Sequence, residues 1–183
     1  MLTRDQPVIS IDLASPPGIG DPKDLTVEHL ERQVVAVIEA ECPGQQVDLL
    51  GYSLGAVVAA AIAGHHPQLI GTLVLVAGWM KTDKHQQLRN RLWFALRNAN
   101  HEDALRLFMG LSSRSPMEVI TVPSETLEAQ LASIRFTPFL DQMMDLNQRI
   151  DIRDAVAAIL APTLIIAGSE DQMVPVHHAK AMF

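Results

Sequence analysis

Three short runs constrain this chain most: residues 47–50 (Val-Asp-Leu-Leu), 73–77 (Leu-Val-Leu-Val-Ala) and 163–167 (Thr-Leu-Ile-Ile-Ala). Each is short and rich in branched apolar residues, and turn or helix patterns bound it. Strands that are apolar at successive positions need cover on both faces, as in parallel sheets. Residues 8–12 (Val-Ile-Ser-Ile-Asp) form a fourth such run, closed by the turn cluster at 15–20 (Ser-Pro-Pro-Gly-Ile-Gly). Helical patterns lie between the runs. Thr26 caps a segment whose apolar residues Val27, Leu30, Val34, Val37 and Ile38 recur at spacings of three and four, and Pro43-Gly44 stops it. Residues 54–63 form a helix of small residues, and a helix capped at Asp151 precedes the last run. The expected fold class is α/β, a mostly parallel sheet flanked by helices on both sides.

Residues 79–149 break the alternation and read as helices only. Residues 83–98 carry Leu88, Leu92, Ala95 and Leu96 on one stripe. Ser115-Pro-Met-Glu118 is a capping box with proline at the first helical position, and Ser124 caps a helix with Leu127, Leu131 and Ile134 inward. Phe139, Leu140, Met143 and Met144 line another helix. The expected organisation is a discontinuous core, 1–78 and 150–183, with an inserted helical cap at 79–149. Five of the eight methionines fall in this insertion. Met143 and Met144 are therefore expected to line a tolerant acyl pocket rather than only to pack helices together.

Composition narrows the partners. Of the 183 residues 48% are apolar, enough for a sizeable core, and 21 acidic against 14 basic side chains leave a formal charge of −7. An acidic surface with only eight aromatic residues (five Phe, two Trp, one Tyr) argues against nucleic acid. The single cysteine, Cys42, excludes an internal disulfide and fits a reducing compartment. The longest apolar run, 56–63, is far short of the about 20 residues of a membrane span. The N-terminal segment, with an acid and a proline near its start, does not resemble a signal peptide. A cytoplasmic protein acting on a small molecule is expected.

Gly51-Tyr-Ser53-Leu-Gly55 matches G-x-S-x-G. The pentapeptide alone is weak, but here a strand precedes it and a small-residue helix follows, the context a nucleophilic serine on a sharp turn requires. Gly51 and Gly55 are expected to remove Cβ atoms that would clash with strand and helix. The helix start aims its dipole, and the backbone N–H of Leu54, at charge developing beside Ser53. The alternative is a serine cap in an ordinary strand-to-helix turn.

With these motifs the chain resembles the α/β-hydrolase superfamily over almost its whole length. Residues 8–12 and Gly18-Ile-Gly20 look like its fourth strand and glycine turn, 51–55 its nucleophile elbow, 73–77 its sixth strand, and 79–149 its variable cap. The stretch 161–175, containing Gly168-Ser-Glu-Asp171, is similar to the seventh strand and acid loop. The resemblance implies Ser53 as nucleophile and Asp171 as triad acid, which would hold a histidine by its Nδ1–H. It implies hydrolysis of a carboxylic ester or related acyl substrate, with no cofactor. As plain sequence, Asp171 also suits a turn.

The base has no evident candidate. His177 and His178 alone follow Asp171 and are expected on a surface helix facing solvent, away from Ser53. His65 and His66 end the helix after the elbow; His29, His85 and His101 have no partner pattern, and no His pair marks a metal site. The strand and second oxyanion donor that the family places upstream of residue 8 are also missing from the pattern. Residues 8–12 must then pair with 47–50 or lack a neighbour. The expectation is a partial copy of a serine hydrolase, nearly inactive by itself. A decayed, non-catalytic binding protein and an acyltransferase or lyase using the same elbow remain open.

Overall fold

In the computed structural model, which describes residues 7–183, the Thr26 hydroxyl accepts the His29 N–H and the His29 ring reaches back to the Thr26 N–H. That reciprocal cap starts α1 (Val27–Glu41), whose Val27, Leu30, Val34 and Ile38 are buried at the expected spacing. A 3-10 turn (Pro22–Asp24) precedes α1. The chain then forms β1 (Val47–Tyr52), α2 (Leu54–His65) and, after a second 3-10 turn, β2 (Ile70–Val76). Five helices follow: α3 (Lys84–Asn98), α4 (Glu102–Ser112), α5 (Pro116–Thr121), α6 (Ser124–Ser133) and α7 (Pro138–Leu146). Then come α8 (Arg153–Ala157), β3 (Thr163–Ile166) and α9 (His177–Met182).

The sheet is parallel, in the order β1-β2-β3, with Tyr52, Val76 and Ile166 in register at one end. Its Leu73 and Leu75 face is buried together with α2, which is buried on nearly all sides from Leu54 to Ala63. Complete burial of each leucine is worth about 1.5–3 kcal/mol. Small residues let the layers meet closely. A Cβ on Gly64 would overlap the carbonyl of Ala155 in α8, and one on Gly78 would lie 2.9 Å from the Ala56 side chain.

The other sheet face is open. Leu50, Tyr52, Leu164 and Ile166 are 51, 69, 56 and 44% exposed, so the cover expected on both faces is found on one face among the described residues. The fourth expected strand is also absent. Residues 8–12 are irregular and β1 pairs with β2 alone among the described residues. A strand exists only through a partner's backbone groups, which an apolar alternation cannot supply. The first six residues of the expected core segment 1–78 lie outside the described residues.

The helices between β2 and α8 close on themselves. Trp93, Leu105 and Met144 are buried among Phe94, Phe108, Phe136 and Leu140, and the Trp93 and Phe136 rings meet edge to face at 5.5 Å. Arg97 grips Asp141 through two nitrogens, joining α3 to α7. The segment leaves and rejoins the sheet layer through a short antiparallel ladder. Thr82 N–H donates to Ile150, and Ile152 N–H donates to Met80, on either side of the Lys81–Asp151 bridge.

Several local expectations change here. Leu88 and Leu92 of α3 are exposed while Gln86, Asn90 and Trp93 are buried, because the large Trp93 ring takes the inner face and rotates the leucine stripe outward. Met144 is core, not pocket lining, and Met143 packs on the main core. Asp151 is held by Arg153 and the bridge to Lys81, so Ile152 rather than Asp151 caps α8. Pro123 takes the cap of α6, leaving Ser124 as its first residue. Ser115 does cap α5, with Pro116 at its first position.

Candidate active site

The residues after the sheet's C-terminal edge are held by the neighbouring strands. Ser53 directly follows β1, and its N–H donates 2.8 Å to the Val76 carbonyl; Ala77 N–H donates 2.8 Å to that of Ile166. Both residues have positive φ, with Ser53 at φ 53°, ψ −122°. A non-glycine residue there stores on the order of 1–3 kcal/mol of strain. The Ser53 carbonyl accepts the Ala56 N–H at 2.9 Å and so starts α2. Leu54 opens the helix, and its N–H precedes the helix's own ladder. The partly exposed Ser53 is thus set at the positive end of a twelve-residue helix.

The two glycines of the motif differ. A Cβ on Gly51 would overlap the Gly55 carbonyl oxygen and lie 2.6 Å from Ala56 Cα, so the close approach demands glycine there. A Cβ on Gly55 meets nothing within 4 Å, which corrects the expectation of a clash at that position. The space is used by the Gly55 backbone, not by its missing side chain.

Asp171 lies in the loop after β3, two strands across from Ser53 at the same sheet edge. Parallel strands two apart in a sheet lie about 10 Å from one another, so the loops that follow β1 and β3 are near neighbours at this edge. Asp171 Oδ1 accepts the N–H groups of Met173 and Val174 at 2.8 and 2.9 Å. This is the turn role, performed by one oxygen and leaving Oδ2 for another donor.

Among the described residues none of the seven histidines hydrogen-bonds Ser53 or Asp171. His29 belongs to the α1 cap. His65 Nδ1 pairs at 2.9 Å with the buried Glu31. His177 Nε2 lies 2.8 Å from Asp83 Oδ2, and His178 Nε2 lies 3.3 Å from the same oxygen. His177 is exposed as expected. His178 is buried, against the expectation of solvent, because α9 turns that ring toward α3. Burial lowers the His178 pKa, with the Asp83 charge opposing it. Burial raises that of Asp83, but the Gln86 N–H and His177 outweigh it and leave the carboxyl below its ordinary value. Nothing in the sequence announces this grouping, since 94 residues separate Asp83 from His177.

The model of the alpha/beta hydrolase family matches residues 2–183. Pyrrolizixenacetamide deacetylase of Xenorhabdus hominickii is 30% identical over 187 residues, covering 99% of this chain and 69% of the relative. A hydrolase from Pseudomonas aeruginosa superposes with a TM-score of 0.72 at 23% identity, over 92% of this chain and 62% of that one. The acetyl esterase MekB superposes at 0.76 with 13% identity, over 91% and 61%. The chain thus spans about three fifths of these solved structures. The strand–Ser53–helix turn, the parallel sheet and the family match together make this chain a member of the alpha/beta hydrolase family.

Proposed function

We propose that these residues carry the nucleophile half of a serine acyl hydrolase acting on a carboxylic ester or closely related acyl compound. The observation that carries this reading is Ser53: a non-glycine residue in a strained positive-φ conformation at a strand-to-helix turn, on the same sheet edge as Asp171. Strain of this kind clusters at functional sites. The deacetylase relative, whose name describes removal of an acyl group, supports the reaction class.

In this mechanism Ser53 Oγ attacks the acyl carbon while a histidine takes its proton. The carbonyl oxygen becomes an oxyanion held by the Leu54 N–H and the start of α2. The leaving group departs with the proton, and water then cleaves the acyl-serine bond. Asp171, through Oδ2, orients the base and stabilises its imidazolium form. The helices α3–α7 act as the cap that screens the acyl-enzyme from bulk water.

None of the described histidines partners Ser53 or Asp171, and that favours a second reading for residues 1–183 taken alone: ligand binding without efficient turnover. Both readings are tested by assaying p-nitrophenyl acetate hydrolysis in the native protein that carries this chain and in residues 1–183. Ser53→Ala is expected to abolish turnover in the former, a loss on the order of 10⁶. Unchanged turnover overturns the assignment of Ser53. Efficient hydrolysis by residues 1–183 that His177→Ala abolishes overturns the placement of the histidines.

A further inference from the structure

The groups at the junction of α3 and α9 have metal-ligand chemistry that the hydrolase reading does not use. Asp83 Oδ2, His177 Nε2 and His178 Nε2 offer three donor atoms, all within 4.8 Å of one another. Oδ2 lies 2.8 and 3.3 Å from the two nitrogens. Ligand atoms bound about 2.0–2.2 Å from one zinc-class ion sit about 3–3.5 Å apart, so small side-chain adjustments suffice.

Two further observations favour a cation there. His178 is only 5% exposed, and among the described residues its Nε2 makes no hydrogen bond, although the Asp83 carboxylate lies 3.3 Å away. The Asp83 carboxylate is already oriented, because Oδ1 accepts the Gln86 N–H at 2.8 Å while Oδ2 faces the histidines. Charged groups also surround the cluster. Arg89 donates to the Met173 carbonyl, and the Asp83 and Asp171 carboxylates both act on it. Exposed His177 leaves an entry path.

We propose that Asp83, His177 and His178 form a binding site for one divalent first-row transition ion of the zinc class, bridging the start of α3 to α9. Imidazole and carboxylate donors suit such ions, and water completes the coordination. The ion would clamp the helical segment to the C-terminal helix beside the Asp171 loop.

The test uses untagged, metal-free chain titrated with Zn²⁺ by calorimetry and with Co²⁺ by visible absorption. One ion per chain is expected to bind at micromolar or tighter Kd, and excess Zn²⁺ should raise the Tm by several degrees. His177→Ala removes an exposed ligand, and Asp83→Ser removes a ligand while keeping a capping side chain on α3. Each is expected to weaken binding at least tenfold and to abolish the Tm shift, with circular dichroism unchanged. His66→Ala should bind as the parent does. No stoichiometric binding, equal binding in both variants, or loss of binding in His66→Ala would overturn the proposal.

Discussion

Gly51 lies so close beneath Gly55 that a Cβ on the first would overlap the carbonyl oxygen of the second, whereas a Cβ on Gly55 would touch nothing. The two glycines of one motif therefore answer to different forces. Gly51→Ala must push α2 off the end of β1 and is expected to cost about 1–3 kcal/mol or more. Gly55→Ala sits inside a helix, where alanine is preferred, and should be neutral or stabilising by up to about 1 kcal/mol. Urea unfolding of the two variants checks this; equal losses would contradict the packing.

The strain at Ser53 makes a separate prediction. Glycine adopts φ 53°, ψ −122° without steric penalty. Relief of about 1–3 kcal/mol of strain, less glycine's cost of about 0.5–1 kcal/mol in the unfolded chain, leaves a gain of about 1 kcal/mol for Ser53→Gly. The same variant should lose acyl turnover. A stability scan paired with an ester assay tests whether strain and reactivity share this residue.

Glu31 is almost fully buried; one carboxylate oxygen meets His65 Nδ1 at 2.9 Å and the other has no partner among the described residues. His65→Ala strands that carboxylate and is expected to destabilise the chain by about 1–3 kcal/mol. Glu31→Met, which removes the charge and keeps the volume, should cost less or even stabilise. Thermal unfolding of both variants decides the order.

Asp151 stands at the point where the helical segment rejoins the sheet layer. The Arg153 side-chain hydrogen bonds, aided by Lys81, hold its carboxyl down at about 2 rather than 3.8. A depressed folded pKa means that its contribution is present above the ordinary carboxylate value and is lost as pH falls through about 2. Carboxyl-carbon NMR titration of Arg153→Gln should show the Asp151 midpoint rising toward 3.8. An unmoved midpoint would remove Arg153 as the cause.

What could be read from the sequence was local. Thr26 and Ser115 cap the helices that follow them because a cap is settled within a few residues. The strand–Gly51-x-Ser53–helix turn was legible for the same reason: its motif and its flanking patterns are contiguous in the chain. Tertiary structure alone decided matters that depend on distant partners. Residues 8–12 have a strand's pattern but, among the described residues, no strand to bond with. Leu88 and Leu92 look like a buried stripe until Trp93 claims the inner face. Gly51 and Gly55 look equivalent until the backbone of one occupies the space beside the other. Asp83 meets His177 and His178 across 94 residues because α9 packs against the start of α3, and no sequence spacing encodes that contact. Caps and turns are short-range balances of hydrogen bonds, whereas pairing, burial and convergence of side chains depend on which surfaces meet when the chain closes on itself.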